Sequence, residues 1–548
     1  MLSSGTVVWS RLLVTLLLVL FVSSSALAET EERAAGAEAQ AAPELDLGPT
    51  PGAPAGEKEW TPADNELLDS HHLRSLVEMM VGLGVGSVAY WLMQDRNIAD
   101  WDNPTPEQRF NGEAWRFDNN SLAVNFIAHP FTGGFAHSVA RANHHGVLTS
   151  FAYSSLFSFL WEFVLEFKEK VSVNDLIVTS PTGIPIGEFF YKLGLYLDTA
   201  AKPGAATHVA RWTLGTGVAL DRALDGRPRP HVTERDDLGL SRRIWHEFDA
   251  GLGVRFVESP GVEDYTLGQA DMVARLVTLP GYLEPRAFAV GFYGAEISEF
   301  SIALEASEYG YGLTMRADTM LAGYHVQNLR LAGGKPAGAA ATFGVSMAYD
   351  YLRSEANSYA SRQKLDELPA PDLEYHVPIT AEQYGALQLP GPAVDYRASA
   401  PAVDVAVSAR AYPSFAGFGA PAFYDWAADN LEEKTKHALH RQGYFYGWGG
   451  AGLLRGSVRL GPLVLAGHAS YASYVSHDGL DRYVERLTVD VPARGSLLTY
   501  GASVGIRPLD LPVTLAADYD VRSWYSQVGG YEARDRLSSR GISGRIEF

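Results

Sequence analysis

Val513-Thr-Leu-Ala-Ala-Asp-Tyr-Asp-Val-Arg522 is the stretch that decides the fold. Its odd positions, Val513, Leu515, Ala517, Tyr519 and Val521, are apolar, while the even ones, Thr514, Ala516, Asp518, Asp520 and Arg522, are small or charged. Side chains of an extended chain alternate between two faces, so this segment predicts a strand with one greasy and one ionic face. The pattern recurs in Val403, Val405, Val407 and Ala409 against Asp404, Ala406, Ser408 and Arg410. It recurs again in Phe343, Val345, Met347 and Tyr349 against Thr342, Gly344, Ser346 and Asp350. A fourth run sets Leu498, Tyr500, Ala502, Val504 and Ile506 against Thr499, Gly501, Ser503 and Arg507. Similar runs start near Ile244, Asp271, Phe300, Leu313, Gly443 and Leu463. A soluble sandwich also alternates, but it would bury charges of both signs in its core. Charged strands of about ten residues suit a tilted crossing of hydrocarbon around a polar lumen, and the runs amount to about twelve strands, range ten to fourteen.

The chain ends Gly541-Ile-Ser-Gly-Arg-Ile-Glu-Phe548, with Ile542, Ile546 and Phe548 opposite Ser543, Arg545 and Glu547. This resembles the closing strand of outer-membrane β-barrels, and the resemblance implies that the barrel assembly machinery reads Phe548. At the other end, Arg11, the apolar run Leu12 to Val22 and Ala26-Leu27-Ala28 read as an export signal over residues 1–28. That run is short for a membrane-spanning helix. The chain has no cysteine, which excludes a lipoprotein anchor, a disulfide-linked partner and a thiolate metal site. The formal charge is -20, and Arg11 is the only charge in residues 1–28, so the exported part is more acidic still. An acidic balance argues against nucleic acid as a partner. The 27 Tyr, 11 Trp and 24 Phe are enough to build aromatic girdles at the two interfaces of a bilayer. The expected location is the cell outer membrane, with its lipid as the main partner.

The expected fold class is α+β, an N-terminal helical domain followed by a C-terminal antiparallel transmembrane β-barrel. Residues 29–60, rich in Ala, Glu and Pro, read as a disordered linker. Residues 61–200 read as the helical domain, 201–243 as a polar connector and 244–548 as the barrel. Short turns at Leu460-Gly461-Pro462 and 508–512 alternate with long polar loops, expected at about 355–400 and 416–440.

Within the helical part, residues 76–93 are apolar and place Gly82 and Gly86 four apart, a spacing that lets helices approach closely. The expectation is a helix buried in protein. A dinucleotide loop is excluded, because no strand precedes the glycines and its third glycine would fall at Ser87. The next helix, about 147–167, is apolar except for Ser150, Ser154, Ser158, Glu162 and Glu166, which lie four apart on one stripe. Buried carboxylates need partners. Asn125 and His129, sharing a helical face just before Pro130, are the expected ones, with Arg141, His144 and His145 as further candidates.

Asn125-x-x-x-His129-Pro130-x-x-Gly133, Ala140-Arg141, Trp161-Glu162-x-x-x-Glu166, Ser172-x-x-Asp175-Leu176 and Gly187-Glu188 together resemble the bacterial domain of unknown function DUF3943. The resemblance spans residues 110–200 and departs at Ala136-His137, where the family carries aromatics. It implies an envelope setting and supplies no activity. Three readings of Asn125, His129, Glu162 and Glu166 follow. They form a structural network that holds the helices. They form a catalytic group, with a histidine oriented by an asparagine or carboxylate and activating Ser150, Ser154 or Ser158, as in lipid or glycan hydrolysis. Or they form a metal site, which the spacing disfavours because it matches no metal-binding helix pattern. No metal and no cofactor are expected. The function expected is a structural or transport-related outer-membrane barrel plugged or capped by its helical domain. The alternatives are a membrane-embedded envelope-lipid hydrolase and a ligand-binding surface protein.

Overall fold

A computed structural model describes residues 60–66, 68–93, 102–200, 204–258, 264–355, 382–480, 487–508 and 511–547. The export signal, nearly all of the linker and Phe548 lie outside the described residues.

The alternating runs become strands β1 (Trp245–Glu258), β2 (Tyr265–Val277), β3 (Ala287–Phe292), β4 (Ile297–Ser307), β5 (Gly310–Ala332), β6 (Lys335–Ser354) and β7 (Glu382–Ala400). They continue as β8 (Val403–Gly419), β9 (Tyr444–Leu460), β10 (Leu463–Ser476), β11 (Ala493–Ile506), β12 (Val513–Val528) and β13 (Tyr531–Glu547). The sheet order is β5-β4-β2-β1-β13-β12-β11-β10-β9-β8-β7-β6, and β6 pairs back onto β5. This is a closed antiparallel barrel of twelve strands. The short β3 extends the wall beside the second half of β5, beyond the point where β4 ends. Closure pairs both edges of each of the twelve barrel strands, which is what allows a sheet to stand in a medium without water, and leaves only the short β3 with a single partner.

The start of β1 and the end of β13 pair at one end, Asp249 with Glu547. We call this the terminal end and the opposite one the loop end. Tight turns at Gly333-Gly334, Pro401-Ala402 and Gly461-Pro462 mark the terminal end. Ion pairs fix which face looks inward, because several join strands on opposite walls. Arg275 of β2 meets Asp395 of β7 at 2.7 Å, Arg455 of β9 meets Glu299 of β4 at 2.5 Å, and Arg522 of β12 meets Glu382 of β7 at 3.2 Å. Parity then places Asp249, Arg255, Arg316, Asp318, Asp350, Asp404, Arg410, Asp518, Asp520 and Arg522 in the lumen, as the alternation predicts, whereas Arg507, expected there too, lies just past the end of β11 and pairs with Glu547.

Apolar clusters pack on inward-facing residues toward both ends of the lumen. The segment expected as a loop at 416–440 instead continues β8 to Gly419 and then forms helices α7 (Phe423–Asp429) and α8 (His437–Gln442). These pack Phe423, Trp426 and Leu439 onto the inward-facing Phe418, Phe445, Tyr474 and Trp524. Phe418 and Trp524, from non-neighbouring strands, stack at 4.5 Å. The other expected loop, 355–400, is strand β7 from Glu382 onward, and 356–381 lie outside the described residues. At the terminal end the chain between β2 and β4 folds inward, packing Leu279, Tyr282 and Phe292 with Val277, Ile297, Met320 and Ala393.

The helical part comprises α1 (His72–Met93), α2 (His129–Ala142), α3 (Val147–Leu160) and α4 (Val173–Asp198), with five-residue π-helical turns at Val124–Ala128 and Trp161–Leu165. Among the described residues it does not plug the lumen, contrary to that part of the expectation: its contacts fall on outward-facing side chains of β4 to β9 and, at the loop end, Asn119 reaches His437 of α8 and Phe117 meets His477. Phe189 stacks on Phe300 at 5.2 Å, Ile184 packs on Met347 and Leu387, and Phe117 meets Phe415 at 5.8 Å. Along β6 the outward residues Phe343 and Val345 are 50% and 43% exposed, whereas Met347, Tyr349 and Tyr351 are at most 3% exposed. The helices cover the loop-end half of this wall and leave the terminal half bare. The reason is chemical: the outward faces of Ser298, Thr319, Tyr349, Tyr444 and Tyr446 carry polar atoms, and each finds its partner in the helical domain.

Helices α2 and α4 touch through glycine. A Cβ on Gly133 would stand 1.9 Å from the Thr179 carbonyl oxygen, and one on Gly183 would stand 2.5 Å from the Gly133 carbonyl carbon. The predicted pair Gly82 and Gly86 behaves differently, facing the rings of Phe157 and Trp161 rather than another backbone. Helix α1 is also not buried: Val81, Val85 and Val88 are exposed. The stretch Leu193–Arg242 belongs with residues up to Asp64 to a separate unit. The expected connector holds two helices, α5 (Ala205–Thr213) and α6 (Thr216–Asp225), tied by Arg211 to Asp198 at 2.9 Å and by Arg222 to Asp198.

Candidate functional site

The π turn at Val124–Ala128 projects Asn125 toward the outer wall of the barrel. Such turns widen the backbone and are often found at functional positions. Asn125 is fully buried, and its Nδ2 faces Asp118 Oδ1 at 2.8 Å, Tyr446 OH at 2.6 Å and Tyr444 OH at 3.0 Å. Asp118 is the centre of this network. Its carboxylate accepts from Asn125, from Asn174 Nδ2 at 3.1 Å, from Tyr446 OH at 2.9 Å and from Asn120 Nδ2 at 2.6 Å. Its own N–H donates to Asn174 Oδ1 at 2.9 Å. Asn174 also donates to Asp175 Oδ1 at 2.8 Å, and His129 Nε2 lies 3.5 Å from Asp175 Oδ2. Asn125 Oδ1 is buried without a hydrogen-bond partner.

Burial shifts the two members of the Asp175–His129 pair in opposite senses. Burial, then Asp118 and the nearby glutamates, push the Asp175 carboxyl well above the usual carboxylate range. Burial lowers His129 below an ordinary imidazole, opposed by Asp118. His129 keeps 18% of its side chain exposed while Asp175 keeps 3%, so the imidazole is the member that reaches the surface.

The predicted acids sit apart from the predicted histidine. Among the described residues no hydrogen bond or ion pair joins His129 or Asn125 to Glu162 or Glu166, nor His129 to Ser150, Ser154 or Ser158. Glu162, in the second π turn, accepts from the backbone N–H of Ser172 at 3.1 Å. Glu166 accepts from Trp161 Nε1 at 2.7 Å. Burial, then Glu169, raise the Glu166 carboxyl to about 8, opposed by the Trp161 hydrogen bond. Arg109 binds the backbone carbonyls of Glu162, Glu166 and Glu169. Arg141 does not reach these acids either. It meets Glu188 at 2.7 Å, together with His137 at 2.9 Å and Lys192 at 2.9 Å, in a buried cluster whose Lys192 also donates to Ser298 of β4 at 3.0 Å. The cations outweigh burial and hold Glu188 well below the usual carboxylate range. His145 pairs with Ser75 at 2.9 Å, and the His144 ring lies 5.6 Å from that of His71, both on the α1 side.

Sequence reasoning missed Asp118, Asn174, Tyr444, Tyr446 and Lys192. Tyr444 and Tyr446 share the outward parity of β9, but tyrosines at a strand end also suit the interfacial girdle of a barrel, so the sequence carried no signal that set them apart.

Fold and site together define a closed twelve-stranded barrel of the outer-membrane type that carries a helical domain on its outer wall. Residues 114–216 match the family described as "Domain of unknown function (DUF3943)", a range that contains Asp118, Asn125, His129, Asp175 and Glu188. No curated protein matches the chain. Among solved structures, the NanC porin is similar over 54% of this chain and 98% of its own, at 8% identity and a TM-score of 0.20. The translocator domain of the autotransporter NalP from Neisseria meningitidis covers 64% of this chain and 100% of its own, at 10% identity and a TM-score of 0.18. The β domain of the Bordetella autotransporter BrkA covers 55% and 99%, at 11% identity and a TM-score of 0.19. At such scores the likeness bears no weight, and the fold class rests on the strand pairing itself.

Proposed function

We propose that this protein is an outer-membrane scaffold: a barrel that conducts nothing and holds a helical domain at membrane level by its outer wall. One observation carries the reading. The lumen carries apolar clusters toward both ends and Arg–carboxylate pairs that cross it between them, an arrangement that favours a barrier over an open solute path. In this reading residues 1–28 direct export and Phe548 is presented to the assembly machinery. The test is planar-bilayer recording of the refolded full chain. Absence of single-channel steps is expected, and reproducible conductance steps would overturn the scaffold reading in favour of transport.

A second reading, an envelope-lipid hydrolase, is supported by the Asp118 network. A partly exposed imidazole beside a buried carboxyl pushed above the usual carboxylate range has the chemistry of a general acid–base pair, and the spare Asn125 carbonyl is an acceptor for a bound group. His129 would move the proton, Asp175 would orient it, and Asn125 would hold the substrate. Glu162 and Glu166 would shape the surrounding field. Incubation with vesicles of bacterial outer-membrane lipid should then release fatty acid, and His129→Asn should abolish release while the barrel still assembles. No release by the unaltered protein would leave the network purely structural. A ligand-binding role for the surface loops loses its basis at 416–440, which is committed to the plug.

A further inference from the structure

The helical layer is built inside out. Helix α3 buries its polar stripe, with Ser150 and Ser154 at 0% and Ser158 at 4% exposure, and turns Leu148, Leu156 and Phe159 outward. The buried hydroxyls are bound within the layer: Ser154 Oγ donates to the Gly133 carbonyl at 3.1 Å, and Ser180 Oγ donates to the Ser154 carbonyl at 2.9 Å. Helix α1 repeats the arrangement, with Ser75 buried and Leu73, Val77, Val81, Val85, Val88 and Leu92 exposed. A helix packed on a soluble core turns its apolar stripe inward and its polar face to water. The reverse is the rule in hydrocarbon, where polar groups face the bundle interior and small residues let backbones touch. The Gly133–Thr179 and Gly183–Gly133 contacts are of that kind.

The level of the layer points the same way. On the uncovered side of the barrel, outward apolar residues are exposed from Leu465 to Val475 along β10 and from Leu252 to Phe256 in the loop-end half of β1. On β6 the helices cover the loop-end half of that same band, taking the place of lipid there. Helix α1, at 22 residues, is about 33 Å long, close to the thickness of a bilayer's hydrocarbon core.

We infer that the exposed faces of α1 and α3 lie in the hydrocarbon of the same bilayer as the barrel, so that the helical domain is an integral membrane element beside the wall. The occupant of this face is acyl chain. The inference rests on the bilayer placement of the barrel, and the experiment separates the two.

The chain has no cysteine, so single-cysteine variants need no background removal. Val81→Cys and Phe159→Cys, with Val85→Cys and Leu148→Cys as replicates, are labelled with a nitroxide in the full chain and reconstituted in phosphatidylcholine vesicles. Ile542→Cys, outward on β13, serves as the lipid reference, and Asp237→Cys as the aqueous one. Collisions with oxygen, which partitions into lipid, are compared with collisions with a water-soluble nickel complex. Heat-modifiable migration on gels confirms that each variant has folded. The expected result is high oxygen and low nickel accessibility at all four helix sites, as at Ile542→Cys. Nickel accessibility at the helix sites with a lipidic Ile542→Cys would overturn the inference alone. Immobilised labels reached by neither reagent would overturn it in favour of a protein partner or a second copy. Nickel accessibility at Ile542→Cys would remove the bilayer placement and the inference together.

Discussion

Glu188 shows at the scale of one residue how the helical domain is held. It is fully buried, and its two oxygens meet Arg141, His137 and Lys192. Replacing it with Gln would orphan two buried cations, which costs about 3–5 kcal/mol in comparable networks. Glu188→Gln should therefore lower the urea midpoint of the helical circular-dichroism signal, and an unchanged midpoint would contradict the network. Glu166 behaves in the opposite sense. Its carboxyl, raised to about 8, favours the protonated folded form, so its contribution is complete below the unfolded value near 4.5 and is lost as pH rises through about 8. Helical stability in detergent should fall from about pH 4.5 to about pH 8 and level off above it, and Glu166→Gln should flatten that fall. A wild-type profile that stays level across this window would refute the assignment.

At the scale of the element, the faces of helices and strands can be probed separately. Gly133 and Gly183 sit where any side chain would meet backbone. Gly133→Val should part α2 from α4 and open residues 114–192 to protease, while the barrel still shows heat-modifiable migration. Resistance equal to the parent chain would rule out the close approach. On the strands, Leu454 faces outward at the middle of β9. Leu454→Arg should cost about 2–4 kcal/mol, the range for a cation at the bilayer midplane. Asp518→Asn, in the lumen beside Ser543 at 2.6 Å, should cost far less, because its neighbour is a hydroxyl that can rotate. Equal costs would reject the parity assignment.

At the scale of the molecule, two separate apolar clusters stand in one lumen, one toward each end, and the proposed scaffold role requires both to block it. Replacing 420–443 by a short turn should leave the barrel silent in bilayers, because the inward fold between β2 and β4 still blocks the terminal end. Removing both segments should give conductance steps. Conductance after the first change alone would mean that the terminal-end plug is loose, and silence after both would leave the ion pairs as the barrier.

The alternation of apolar and charged residues determined most of the strands, their inward faces and their approximate number, because a period of two is a local property that pairing only makes permanent, but β7 lay in a segment expected as a loop. Asp518, Asp520 and Arg522 could be placed in the lumen from parity alone. The chain also displayed Asn125, His129 and the Glu162–Glu166 stripe as polar exceptions on apolar helices, which marked the region but not the partners. Partnership is decided across sequence separations of hundreds of residues. Asn125 binds Tyr444 and Tyr446 of a strand, and no spacing within residues 110–200 encodes that. The same holds for the side of the wall on which the helices lie. Apolar helices suit a lumenal plug or an outer layer equally well by composition. The matching of Ser298, Thr319, Tyr349 and Tyr444 with buried groups of the helical domain chose the outside, because an outward polar atom on a lipid-facing strand must find its hydrogen bond in protein.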